Sequence, residues 1–459
     1  MAGREQLKAS GIQDVYFTDN PEFSYFTKKH NYFENFERFQ TSLDFDGNID
    51  FGNQIRCTIP QDTGHFLKTA SLKINLNPLD NDIQGLLQSS PDEYEHLMYN
   101  ESIGHAMIEY VELIIGGDVV QRIPSDYFEI YAENFTTQTH QKSLRQLVGR
   151  PETFNPILEV SPHPNAPVRS IAEHLKTKSL SELSLFVDIP FYFHNNPELA
   201  IPLHAIKYHE VEIVVKLRDV RDCIYAGKKT TGLPSVTWEM FYTGLEPKNL
   251  IKNMKLSLEM IQTDAPTQHA RTDYVITQIQ ENKFDMGLTD EYSCRLDFIN
   301  PVKELFFVIQ KKNEREVYSN NFVSVFDYDY GTHVLNGTFI NNENLKNLEL
   351  TLDDNKILDE TTGDFINLRS IQPGIHHSRT QMMRKYYSYS FSLEPEKWYS
   401  TGTVNFSHVK DQLLKLRLNA DDGSASYSAQ YTRERLLKVY ALSYNILRIE
   451  NGTTKLLFN

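Results

Sequence analysis

A chain of 459 residues with 46 basic and 61 acidic side chains carries a formal charge of −15. This argues against direct coating of nucleic acid, which needs a basic patch or tail to displace counterions; the densest basic clusters, Lys28-Lys29-His30 and Lys228-Lys229, are short. Hydrophobic residues at 40% suffice for packed cores, no apolar run reaches the roughly 18 residues a membrane span requires, and 25 Tyr with 27 Phe favour strands over helices.

The N-terminus, MAGREQLKAS, lacks a basic region followed by an apolar run, so no signal peptide is expected. Residues 1–28 are polar but punctuated by Tyr16, Phe17, Phe23, Tyr25 and Phe26, which suggests an arm that docks on its own domain or on a neighbour. Strand-like sequence begins at Tyr32 and continues through FLKTASLKINL, where Leu72, Ile74 and Leu76 share a face. The cluster Pro60-Gln61-Asp62-Thr63-Gly64 is a turn, and Pro78 to Gly104 reads as an acidic insertion. MIEYVELIIGG places Met107, Val111, Leu113 and Ile115 in phase and closes on Gly116-Gly117-Asp118. Without G-x-G-x-x-G spacing or a Walker lysine, that glycine pair predicts a tight β-turn rather than a phosphate loop. Residues 132–182, with Pro151, Pro156, Pro162, Pro164 and Pro167, read as a long polar loop of the kind that forms functional surfaces.

Strict alternation follows: Leu183, Leu185, Val187, Ile189, Phe191 and Phe193 fall on one parity, so a strand is predicted up to Asn195-Asn196-Pro197. A second strand places Val211, Ile213, Val215 and Leu217 inward. Two half-buried strands joined by a broad excursion describe a sandwich, not a hairpin. A polar insertion at 219–252 leads to a last strand near 254–263, and a boundary falls at Asp264-Ala265-Pro266.

The plan then repeats. Tyr274 opens YVITQIQ, KELFFVIQ places Leu305, Phe307 and Ile309 in phase, and Leu348, Leu350 and Leu352 mark a further strand. A loop at 353–383 precedes Tyr387, Tyr389, Phe391 and Leu393, which alternate with Ser388, Ser390 and Ser392. Strands around Leu414, Leu416 and Leu418 and around Tyr440 complete the copy, and NGTTKLLFN reads as a docked end. The expectation is an all-β chain of two tandem sandwiches: an arm at 1–28, a first unit at 29–264 and a second at 265–459.

Chemistry-bearing residues form no active-site pattern. Cys57, Cys223 and Cys294 are odd in number, far apart and without a C-x-x-C pair, which suggests neither zinc nor disulfides and favours a reducing compartment. His204, His209, His376 and His377 match no metal or catalytic motif, and Glu210 points away from His209. The pairs Asp353-Asp354 and Asp421-Asp422 could serve glycoside hydrolysis in principle, but sit in polar turns. No catalytic, cofactor-binding or metal residue is therefore assigned, and no enzyme is expected. Sequons at Asn100, Asn134, Asn336, Asn405 and Asn451 read as chance matches.

Six blocks carry a family resemblance: Leu185–Arg218, Met107–Gly117, Thr272–Gln280, Asn300–Gln310, Ser390–Ser407 and Val439–Gly452. Taken along the chain from about Phe36 they stand in family order, and they resemble the major capsid proteins of large nucleocytoplasmic DNA viruses; marseillevirus, iridovirus and algal-virus relatives all stay open. The resemblance implies two consecutive eight-stranded antiparallel jelly rolls with long loops and short helices. It further implies a homotrimer shaped as a pseudo-hexagonal capsomer, neighbouring capsomers, minor cement and penton proteins, an underlying membrane, and a place in a virion assembled in the host cytoplasm. The loops at 79–104, 132–182 and 353–383 and the N-terminal arm match nothing in the family. Two other classes remain: a carbohydrate-binding or carbohydrate-active jelly roll, disfavoured by only two tryptophans, Trp238 and Trp398, and a minor capsid component.

Overall fold

The computed structural model describes residues 34–79, 96–149, 181–230, 237–242, 249–264, 266, 270–311, 325, 326, 328, 332–335, 338–341, 345–378, 384–419 and 434–458. The aromatic residues of the arm, Asp421-Asp422 and Asn336 lie outside them.

One sheet runs β1 (Phe36–Asp44), β12 (Ile251–Thr263), β3 (Phe66–Leu76), β7 (Leu183–Asp188), with β8 (Ile201–Pro202) added on β3. Its partner runs β2 (Gln54–Ile59), β9 (Val211–Leu217), β5 (Ile108–Ile115), β6 (Asp118–Pro124). Leu72, Ile74, Leu256 and Leu258 of the first pack with Val111, Leu113, Ile213 and Val215 of the second in one core. The strands predicted around Val187 and Ile213 thus lie in opposite sheets.

The second half repeats the order. One sheet runs β13 (Arg271–Gly287), β23 (Arg435–Glu450), β15 (Pro301–Lys311), β20 (Tyr387–Ser390), with β21 (Val404–Asn405) on β15 and β24 (Thr453–Leu456) on β23. The other runs β14 (Glu291–Arg295), β22 (Gln412–Leu418), β18 (Leu345–Leu352), β19 (Asn355–Leu358). Ranked along the chain, the eight principal strands of each half occupy the same places: first, eighth, third and sixth in one sheet, second, seventh, fourth and fifth in the other. All pairings are antiparallel, and this is the jelly-roll order.

The Gly116-Gly117 turn joins β5 to β6 with φ of 63° and 91°, the left-handed values of a two-residue hairpin loop. Gly116 is needed twice over, since a Cβ there would lie 2.3 Å from His209 Nδ1. The C-terminal tail is docked as expected, through β24 on β23.

Several expectations are corrected. The predicted loop at 132–182 begins inside a helix, α1 (Ser125–Asn134), and is followed by α2 (Gln138–Leu147). The polar insertion at 219–252 contains β10 (Ile224–Thr230) and β11 (Thr237–Tyr242), which form a three-stranded sheet with β4 (His96–Tyr99) from the acidic insertion. The loop at 353–383 starts with β19 and contains a helical run over 365–376 that ends in α3 (Gln372–His376). A small hairpin, β16 (Thr332–Leu335) with β17 (Thr338–Asn341), lies apart from the sheets.

The strand predicted to reach Phe193 stops at Asp188. Ile189, Phe191 and Phe193 stay buried, but so does Tyr192, whose backbone amide is taken by the Gln121 side chain at 2.9 Å instead of a neighbouring strand. Ser388, Ser390 and Ser392 are buried rather than solvated, and Leu393 of the apolar parity is 75% exposed.

Candidate functional site: the junction between the two rolls

The two rolls share a core. On β15, Leu305, Phe307 and Ile309 face the second roll's interior, while Phe306 and Val308 on the other face join the first roll's cluster. On β23, Leu437, Val439 and Ala441 point inward, and Tyr440, Leu442, Leu447 and Ile449 point toward the first roll. A strand buried on both faces reads as a continuous apolar run, as KELFFVIQ does. Helix α1 lies on this outer face, with Tyr127 edge-on to Phe306 at 6.3 Å between ring centroids.

The apolar contact surrounds buried charge. Asp126 of α1 accepts from the Tyr328 hydroxyl (2.6 Å), the Lys438 ammonium (2.7 Å) and the Tyr440 hydroxyl (2.6 Å), all from the second half of the chain. Burial pushes its carboxyl up, but the Lys438 charge and the three bonds outweigh that and hold it below the usual carboxylate range. One turn on, Glu129 lies 2.7 Å from His105 Nδ1 and accepts from Arg384 Nε at 2.8 Å. Arg384 also donates to the Phe326 carbonyl (3.2 Å). The Tyr386 hydroxyl donates to Asn134 Oδ1 at 2.7 Å. First-roll acceptors at Asp126, Glu129 and Asn134 thus meet second-roll donors along the helix.

Of the sequence-singled residues that are described, His209 and His377 lie at contacts between the halves and the others elsewhere, and they do not converge on a reactive centre. His209 accepts from the Thr454 amide at 3.1 Å and, beside it, the Lys207 and Tyr208 amides donate to the Gly452 carbonyl, making a second joint between the halves. His204 Nδ1 lies 3.1 Å from the His65 carbonyl, and His376 Nδ1 3.2 Å from the Leu393 carbonyl. His377 is buried, with Nε2 2.7 Å from Glu304 and its ring edge-on to Phe135 of the first roll. Burial works against its charge, but Glu304 and Glu396 raise it to about 9.

Asp353 and Asp354 form the two-residue turn of the β18–β19 hairpin, both with positive φ, and Asp353 Oδ1 accepts the amides of Lys410 and Asp411 at 2.9 Å. That is structural capping. Cys57, Cys223 and Cys294 are buried, and burial raises the Cys57 thiol to about 11, far from thiolate chemistry at neutral pH. Asn100 and Asn134 are buried, whereas Asn405 and Asn451 reach the surface. Trp398 sits edge-on to Tyr399, and the described part of Trp238 is its backbone in β11. Among the described residues, no group of three or more His, Cys, Asp or Glu could hold a metal ion, and no helix is long and apolar enough to cross a membrane.

The acids of α1 escaped sequence reading, although Pro124-Ser125-Asp126 before apolar residues at helical spacing is a start signal. Their partners from the second roll lie more than 200 positions away, as Tyr328 does from Asp126 at 202, and no local pattern reveals them.

Two family models match in tandem, one per roll: "Major capsid protein N-terminus" over residues 23–243 and "Large eukaryotic DNA virus major capsid protein" over 266–454. The chain belongs to the major capsid protein family of large eukaryotic DNA viruses. Among its capsid relatives, the major capsid protein of Phaeocystis pouchetii virus is 24% identical, with 98% of each chain covered. The subunit in a quasi-atomic description of the PBCV-1 virus capsid shares the fold at a TM-score of 0.66 and 17% identity, over 95% of this chain and all of the other. The Faustovirus major capsid protein does so at 0.65 and 13%, over 98% and 96%. The double jelly-roll architecture is therefore that of the family.

Replacing Asp126 by Asn should leave the Lys438 ammonium buried without its counter-charge and destabilise the protein by about 3–5 kcal/mol. Removing the whole cluster, Asp126→Leu and Lys438→Met together with Tyr328→Phe and Tyr440→Phe, should recover most of that loss, because no buried charge or hydroxyl is then left without a partner. Urea unfolding of both variants checks this. A second test uses pH. Because the folded His377 titrates near 9 rather than at its ordinary 6.5, its stabilisation is complete below about pH 6.5 and lost as pH rises through about 9. The gap in stability between wild type and His377→Gln should therefore shrink by on the order of 2–3 kcal/mol across that window. Taking the difference cancels Lys303, whose burial lowers it to about 8.

Proposed function

We propose that this chain is the bulk building block of an icosahedral virus shell, acting as a homotrimer of nearly hexagonal outline. The observation that carries the reading is the repeated strand order of the two halves, joined through a common core. Two similar wedges per subunit let a threefold ring present six, and a near-hexagonal outline tiles a surface with few distinct contacts. Obligate interfaces of this kind bury upwards of about 2,000 Å² in total. Family membership supports a structural role in the virion.

The finer parts belong to the same proposal. The chain divides into an N-terminal arm at 1–28 and rolls at 29–264 and 265–459. Neighbouring capsomers, cement and penton proteins meet the capsomer's rim and an internal membrane lies beneath it, with assembly in the host cytoplasm. The −15 charge suits a shell held away from the genome. Negative-stain images of the purified protein should show three-fold rings of roughly hexagonal outline. Light scattering that reports a monomer even at high concentration would overturn the reading.

A further inference from the structure

The connection between the fifth and sixth principal strands occupies the same place in both rolls: β6 to β7 in the first, β19 to β20 in the second. In the first roll it carries α1, which covers the outer face of the second roll's β13-β23-β15-β20 sheet. In the second roll it carries the helical run 365–376, which buries Leu368 and Pro373 against its own roll and turns Ile366, Ile371 and Ile375 outward, 51%, 48% and 68% exposed. The spacing of five and then four follows the π-helical stretch Asn367–Ile371 continuing into α3, so the three isoleucines line one stripe.

The surface that would receive such a stripe exists on the first roll. The outer face of β1-β12-β3-β7, equivalent to the face that α1 covers in the second roll, borders an open cleft of about 650 Å³. Thr69, Ser257 and Glu259 line it from the sheet, and Phe135, Leu144 and Leu147 from the helices. Leu147 is itself 38% exposed. His194, also on the lining, has a buried Nδ1 without a hydrogen-bond partner. Among the described residues, each chain therefore carries one filled copy of the contact, one open donor stripe and one open receiving cleft.

From this pairing we propose that the Ile366–Ile371–Ile375 stripe of one subunit seats in the first-roll cleft of a second copy of this chain, repeating between subunits the contact that α1 makes within one. The inference rests on the capsomer reading and names the surfaces that close it. The contact is head-to-tail, and three such steps close a ring of six rolls. Stripe and cleft are contiguous with the internal junction, because His377 at the end of the run touches Phe135 on the cleft lining.

The test is an Ile375→Cys, Leu147→Cys double variant of the full chain, against a background in which all three native thiols are buried. Oxidised and run under denaturing conditions, it should migrate as a covalent trimer, and maleimide labelling of Leu147→Cys alone should slow on assembly. Separately, Ile375→Asp should weaken self-association about tenfold or more in sedimentation, with an unchanged circular dichroism spectrum. If wild type forms trimers but the oxidised double variant runs as a monomer and Ile375→Asp still assembles normally, the assignment is wrong while the capsomer reading stands. Slowed labelling at position 147 without the cross-link would give the cleft to another segment and overturn it too. A monomeric wild type would overturn both.

Discussion

A carboxylate removed from water must be met by donors or it will not stay charged, and Asp126 draws all three of its donors from the other half of the chain. Breaking one such bond between the rolls leaves a buried charge or phenol without a partner, so the halves are held to one relative position rather than a range of similar ones. Hydrophobic contact alone is tolerant of sliding; Phe306 and Leu442 would bury as well a few ångströms away. The polar cluster supplies the register. For a shell subunit that matters, since an error in the angle between two rolls would be multiplied around a ring.

The twin rolls are alike in strand order and unlike in surface. Under α1 the second roll's β13-β23-β15-β20 sheet presents Phe306 and Val308 together with Lys438, whose charge is met by Asp126, whereas the equivalent first-roll sheet shows Lys73, Lys255, Ser257 and Glu259 on its outer face. The difference has a physical reason. The former surface is covered as soon as the chain folds, whereas the latter carries charged and polar side chains that water can solvate.

Much of the fold was legible because half-buried strands announce themselves by period two. Val211 to Leu217, Leu348 to Leu352 and Leu414 to Leu418 all point where alternation places them. The same rule misled at Ile189, Phe191 and Phe193, where parity continues after the backbone has left the sheet, and at Ser388 and Ser390, which are buried in the folded chain. Small polar side chains look solvated in a sequence whether or not anything lies over them. The junction was least legible. Its apolar half was written in the unbroken KELFFVIQ run, but its charged half depends on α1 meeting residues far along the chain, and only the folded molecule joins them.

The central claim is that the two rolls form one mechanical unit. Hydrogen exchange by mass spectrometry at rising denaturant tests it most directly, with α1 reporting on the first roll and β23 on the second. The account predicts that both segments lose protection in one concerted step, with the same dependence on denaturant. Release of either segment well before the other, as a separately opening unit, would contradict it.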